Sequence, residues 1–526
     1  MPPEAEREEN MDWKAQAGQR LVGGFPGKEI SSEFIRLVKE YKIGNVILFE
    51  HNVENASQLK RLCREIQELV RKETGHSAFI TIDQEGGVVT RLPGSCCNVP
   101  GAMAVAAVGD PENAGILAAV TAKELKSLGV NFNLAPVMDV NNNPQNPVIG
   151  VRSYSDRADI AAEYGVAALK GYQREKFLAC AKHFPGHGDT AVDSHLGLPV
   201  IEKTLEELEA LELKPFRAVI ENGIEAVMTS HILFPKLEPE KIPCTMSRRI
   251  ITGILKERLG FNGLVLSDCM EMDAIGKHYG TAKGVAAAMA AGVDLVFVSH
   301  TAELLEEGVR EVYRAVEEGR ISLEEMRASA EKIIACKEKY VDHFAFGEGC
   351  SPEDKKKERE IRGKSFVLVK GSLFPVGKNT FFTGCPGFRA TLASSEETGA
   401  VSFAEYMADK FGGRGLSASK NPEEKEIGEI LSASEGADNI VVSTYNGHLQ
   451  PGQMKLVRAL SAKGLPVLAV ALRNPYDLAK LPENAAGIAA WDNSVETLEL
   501  LAEVLGGKRL PEGRLPVRLE AESGTL

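Results

Sequence analysis

The segment KHFPGHGDTAVDSH, running from Lys182 to His195, holds three histidines, two aspartates and a lysine. Pro185, Gly186 and Gly188 deny it a helix, so it reads as a strand end opening into a polar loop, where catalytic side chains concentrate. Within it, Asp193 and His195 stand two residues apart, a spacing that on an extended loop lets a carboxylate accept the imidazole N–H. That contact fixes the tautomer and raises the basicity of the ring, giving a pair able to donate and recover a proton near neutrality. Plain hydrogen bonding that shapes the loop would use the same residues. Asp268, in LVLSDCMEM, is a lone carboxylate ending an apolar run. In a barrel mouth it would serve as nucleophile or base; as the N-cap of the next segment it would serve only the fold. Lys182, His183, Asp83 in IDQEGG, Arg91, Arg152 and His231 add donors and acceptors suited to gripping a polar ligand such as a sugar.

Metal chemistry has to be weighed because His183, His187, Asp189, Asp193 and His195 are crowded together. Pro185 and Gly186 spoil the helical face that an HxxxH pair needs, and the first apolar run, LVGGFPG, offers no ligand. No metal and no cofactor are expected. GxxxxGK[ST] does not occur, and DQEGGVVTR is no dinucleotide fingerprint.

Short apolar runs recur with helical stretches between them: LVGGF, NVILF, AFITID, NFNLAPVMDV, LACAKHF, EAVMTSH, LVLSD and DLVFVS. Eight is the number a closed parallel barrel needs, and Asp83, Lys182, His183, His231 and Asp268 all fall at the C-terminal ends of runs, where a barrel places its active site. NASQLKRLCREIQELVRK and KTLEELEALELKPFRAVIENG carry apolar residues at helical spacing and would form the outer ring. The fold class is therefore α/β: a TIM-type (β/α)8 barrel over residues 1–342, a charged linker or overlying helix over 343–365, and a smaller αβα sandwich over 366–526. FVLVKG, NTFFTG, NIVVSTY, PVLAVAL and GIAAWD are the strands of that second domain, too few for another barrel.

A chain of 526 residues suits two domains. Its net charge of −13 argues against a phosphate-tracking nucleic-acid binder and for a small or neutral ligand. The nine cysteines show no disulfide framework and no CxxC pair, so they read as reduced. MPPEAEREENMDWK is acidic without an apolar core, and no run approaches ~20 apolar residues, so a cytoplasmic protein with no membrane partner is expected.

IDQEGG, NFNLAPVMDVN, KHFPGHGDTAVDSH, MTSHILFP and VLSDCMEM occur in an order that closely resembles the β-N-acetylglucosaminidase branch of glycoside hydrolase family 3. STYNGHLQPGQ, LRNPYDL and GRLPV resemble that family's second domain more loosely. The resemblance implies a retaining exo-β-N-acetylglucosaminidase acting on cell-wall or chitin-derived saccharides, with Asp268 as nucleophile, His195 as acid/base and Asp193 as its partner. It implies that Asp83, Arg91, Arg152, Lys182 and His183 hold N-acetylglucosamine. A spent histidine is neutral rather than anionic, so phosphate as well as water is open as the acceptor, making a phosphorylase the alternative activity. A non-catalytic sugar-binding protein is disfavoured by the intact Asp193, His195 and Asp268. The second domain is left to frame the cleft or to mediate dimerisation. Val88 and Thr90 replace more polar residues common in relatives, and Cys269 stands beside the nucleophile where a small or acidic residue is common.

Overall fold

The computed structural model describes residues 13–190, 197–391, 393–395 and 401–519, so Asp193 and His195 lie outside the described residues. Eight short parallel strands close a barrel in chain order: β1 Leu21–Gly23, β2 Asn45–Leu48, β3 Phe79–Ile82, β4 Phe132–Asn133, β5 Leu178–Phe184, β6 Ala226–Thr229, β7 Leu264–Cys269 and β8 Leu295–Val298. The barrel closes where β8 pairs with β1. All eight apolar runs singled out in the sequence become strands. Parallel strands wrapped by helices bury both faces, so alternate residues enter two different apolar layers. In β7, Leu264 and Leu266 fill the barrel interior with Phe79 and Phe132, while Val265 packs into the helical ring.

The amphipathic segments supply that ring. Helix Ala56–Thr74 begins where Asn55 caps the Gln58 N–H and ends at Gly75 in the left-handed region (φ 79°). The stretch after Lys203 forms two helices rather than one, Leu205–Ala210 and Leu213–Glu221, and the turn at Leu211 brings the buried Glu212 carboxylate onto Lys203. Helix Leu323–Tyr340 plugs the N-terminal end of the barrel. Its Ile333 and Tyr340 join the interior cluster, and Lys337 Nζ donates to Gln19 Oε1 at 2.7 Å and the Gly44 carbonyl at 3.0 Å. The C-terminal strand ends are thereby left as the mouth. No described helix is long and apolar enough to cross a membrane.

Residues 343–365 are mostly helix, Pro352–Lys364, with Ser351 as its cap. This charge run is a bound junction, because its charges find partners in both domains. Arg362 is 3% exposed; its Nη2 donates to the Asn98 carbonyl at 2.6 Å, Nη1 to Thr497 Oγ1 at 3.0 Å and Nε to Glu358 Oε1 at 2.7 Å. Nη1 also lies 3.4 Å from Asp492 Oδ2, so Arg362→Ala would strand Glu358 and Asp492 and is expected to cost about 3–5 kcal/mol, the scale of breaking a buried ion pair. A urea unfolding midpoint equal to that of the wild type would show the junction to be dispensable.

The second sheet contains β9 Val367–Lys370, β10 Thr380–Gly384, β11 Arg414–Ser417, β12 Asn439–Thr444, β13 Val467–Ala471 and β14 Ala485–Ala489, in the order β11-β10-β12-β13-β14-β9. Only β9 runs antiparallel to its neighbour. Ile440 and Val442 enter one apolar layer and Val441 the other, so helices cover both faces. Met103, Ala104, Ala107 and Val151 from the barrel join the first of these layers, fusing the two domains through apolar contact.

Candidate active site

A cleft of about 430 Å³ opens at the C-terminal ends of the barrel strands and is lined by Asp83, Arg91, Arg152, Lys182, His183 and Asp268. Six residues from widely separated parts of the chain are thus brought together as the sequence led us to expect. Asp268 closes β7, half-buried, with Oδ1 accepting the Cys269 N–H at 2.7 Å.

The floor of the cleft is an alternating chain of charges. Lys182 Nζ, 2% exposed, lies 2.6 Å from Asp83 Oδ1 and 2.7 Å from Glu85 Oε1. Glu85 also accepts a two-pronged grip from Arg152, Nε and Nη2 each at 2.8 Å. Burial works against the Glu85 carboxylate, but Arg152 and Lys182 outweigh it and hold Glu85 well below the usual carboxylate range. Burial likewise opposes the Lys182 ammonium, and Asp83 and Glu85 reverse that, raising it. A network satisfied in this way is rigid, because removing one member leaves a buried charge unpaired.

His183 is oriented from below. Its Nδ1 lies 2.7 Å from Asp139 Oδ2, which can only accept, so Nδ1 carries the proton and Nε2 faces Arg152 Nη2 at 3.4 Å. Asp139 Oδ1 also accepts the His187 N–H at 2.7 Å. Burial pushes His187 down to about 4, so this imidazole is neutral at physiological pH. On either side of residues 191–196, Asp189 Oδ2 meets Lys203 Nζ at 2.6 Å, and Lys203 in turn meets Glu212, which ties the two flanks together.

Sequence reasoning missed Glu85 and Asp139, although both stood in strings it quoted. Asp139 stands near the end of the apolar run that contains β4, as Asp83 stands just after β3, and the same rule would have found it. His231 requires a correction. It is fully buried and absent from the cleft wall, with Nδ1 2.9 Å from Thr245 Oγ1 and Nε2 2.9 Å from the Cys269 carbonyl. Lying behind the end of β7, it steadies the backbone next to Asp268.

The second domain also reaches the site. The Ala393 carbonyl accepts Arg91 Nη2 at 2.7 Å, and Arg389 and Ser394 line the cleft. Thr90, one of the departures noted in the sequence, accepts from Gln84 Nε2 at 2.6 Å and donates to Asn98 Oδ1 at 2.7 Å. Gln84 Oε1 in turn accepts the Arg91 N–H at 2.8 Å, so Thr90 helps to place Arg91.

Glu85 gives a pH test. A carboxylate held below its unfolded value contributes stability above about pH 4.3 and loses it as the pH falls. Glu85→Gln is expected to melt lower at neutral pH, with Arg152 and Lys182 left unpaired, yet to lose less additional Tm between about pH 5 and about pH 3. Parallel melting curves for variant and wild type would remove Glu85 as the keystone of the network.

The glycosyl hydrolase family 3 N-terminal domain model matches residues 15–336, and the C-terminal domain model matches residues 390–526. Beta-hexosaminidase A of Pseudoalteromonas piscicida is 28% identical over 92% of this chain and 90% of its own length. The structure of a glycoside hydrolase family 3 beta-N-acetylglucosaminidase from Paenibacillus sp. str. FPU-7 is similar with a TM-score of 0.91 and 37% identity, covering 97% of this chain and 99% of that one. NagZ from Neisseria gonorrhoeae, in complex with N-trifluoroacetyl-D-glucosamine, is similar with a TM-score of 0.54 at 26% identity over 65% of this chain and 96% of its own. With both domain models matched in chain order onto a barrel that carries its charged cleft at the strand ends, the chain belongs to glycosyl hydrolase family 3.

Proposed function

We propose that the protein is a retaining exo-β-N-acetylglucosaminidase that releases N-acetylglucosamine from the non-reducing ends of cell-wall or chitin-derived saccharides. The observation that carries this reading is Asp268, a strand-end carboxylate in the same cleft as the Asp83–Lys182–Glu85–Arg152 network. The relatives named as beta-hexosaminidase and beta-N-acetylglucosaminidase support the choice of sugar.

Asp268 attacks the anomeric carbon through an oxocarbenium-like transition state and forms a covalent glycosyl-enzyme. His195, paired with Asp193, gives its proton to the departing aglycone oxygen and then takes one from the incoming water. Asp83, Arg91, Arg152, Lys182 and His183 hold the sugar; Lys182 and Arg152 arrive already paired, so little reorganisation accompanies binding. Nine free thiols suit a reducing compartment and so support a cytoplasmic location.

Products from an aryl β-N-acetylglucosaminide, formed with and without inorganic phosphate, test the reading. Free N-acetylglucosamine, first formed as the β-anomer under both conditions, is expected. A sugar 1-phosphate formed with phosphate would make the enzyme a phosphorylase, and turnover of β-glucosides alone would overturn the sugar.

A further inference from the structure

At the rim of the same cleft, Cys269 is the last residue of β7, Glu271 lies just beyond it, and His300 follows the end of β8. Their ligand atoms, one thiol sulfur, one carboxylate oxygen and one ring nitrogen, all lie within 4.8 Å of one another. From this geometry we propose that Cys269, Glu271 and His300 form a zinc-binding site whose occupation inhibits the enzyme.

The donor set selects the ion. Sulfur, imidazole nitrogen and carboxylate oxygen are the ligands of tetrahedral Zn²⁺, whereas Mg²⁺ and Ca²⁺ take oxygen alone. Three protein ligands leave the fourth position to water or to a group in the cleft. The site is also preorganised. Glu271 is fixed at the start of helix Ala302–Glu317, with Oε2 accepting the His300 N–H at 2.6 Å and Oε1 the Thr301 N–H at 2.9 Å. The His300 ring leans on Phe49, with centroids 4.6 Å apart. Oε1 keeps a second lone pair for a metal, while Oε2 also accepts the Cys269 S–H at 3.7 Å and frees that lone pair when the thiol gives up its proton to the ion.

Coordination replaces the Cys269 S–H proton with the ion and releases that proton to water. The ion would sit next to Asp268, the chain neighbour of Cys269 in the same cleft. Its charge draws electron density from the carboxylate, and its fourth ligand occupies space the sugar needs. The inhibition, unlike the binding, rests on Asp268 being the nucleophile.

The test uses the full chain freed of metal by chelation, with Co²⁺ as a spectroscopic stand-in for Zn²⁺. A thiolate-to-cobalt charge-transfer band is expected in the wild type and not in Cys269→Ser. His300→Ala, altered at an exposed side chain, should weaken binding without endangering the fold. In parallel, Zn²⁺ should inhibit hydrolysis of an aryl β-N-acetylglucosaminide reversibly on addition of chelator. The half-inhibiting concentration, taken relative to each variant's own metal-free rate, should rise by at least the roughly 10–100-fold that even an outer-sphere substitution costs. No band, or a band that survives Cys269→Ser, overturns the site. A band with undiminished turnover overturns the inhibition. Failure of the metal-free enzyme to turn over the substrate would count against the proposed activity and leave the cobalt result to decide the site.

Discussion

Asp268→Ala is expected to lose kcat on the order of 10⁴–10⁶-fold, the scale on which enzymes lose turnover when a covalent nucleophile is removed. The reason is geometric as well as chemical. Asp268 ends β7 at the mouth, and its Oδ1 accepts the N–H of its own chain neighbour. Truncation at such a half-buried strand end should change stability by no more than about 1 kcal/mol. Activity and folding therefore separate, and circular dichroism with a thermal melt distinguishes a dead enzyme from an unfolded one. The space vacated by the carboxylate also admits a small anion. Azide should restore part of the turnover on an activated aryl glycoside and yield the α-glycosyl azide, since the anion attacks from the face Asp268 occupied. A mechanism-based fluorosugar offers an independent reading, because it should label Asp268 and no other carboxylate. A label on Asp83, Glu85 or Glu271 would overturn the assignment.

The barrel was legible because its physics is local. Strands buried on both faces read as unbroken apolar runs, and each charged residue ending a run stood out against them. Strand β11 escaped for the opposite reason. Arg414–Ser417 is a mostly exposed edge strand with a single leucine, so its pairing with β10 leaves no apolar signature. The antiparallel direction of β9 is a property of its neighbour β14, and no pattern within Val367–Lys370 encodes it. The charge run before β9 read only as a linker or an overlying helix because burial of Arg362 depends on Asn98 and Thr497, which are distant in the chain.

The site divides along the same line. Asp83, Lys182, His183 and Asp268 announced themselves at strand ends, whereas the reach of the second domain to Arg91 joins residues about three hundred positions apart. His231 obeyed the strand-end rule but lies fully buried behind the cleft wall, with Thr245 and the Cys269 carbonyl at its ring nitrogens. Position at the mouth selects candidates; whether the side chain lines the cleft or packs behind its wall separates them.

His195→Ala is expected to cost on the order of 10²-fold or more on natural disaccharides, the usual contribution of general acid catalysis, and much less on activated aryl glycosides. A histidine acid working near neutrality offers a modest driving force for protonating a poor leaving group, so the proton matters most where the aglycone oxygen is most basic. Asp193→Asn should follow the same trend more mildly, because it disturbs the tautomer and basicity of the ring without removing it. Once the first step is accelerated by a good leaving group, the variant should accumulate glycosyl-enzyme, since water then attacks without a base. The burst of released aryl alcohol would exceed that of the wild type, and small anionic nucleophiles that need no deprotonation should relieve the block. A loop that merely shapes the cleft predicts equal losses for every substrate. Measuring kcat/KM across a series of leaving-group pKa values separates the two, and a flat response would sink the acid/base pair.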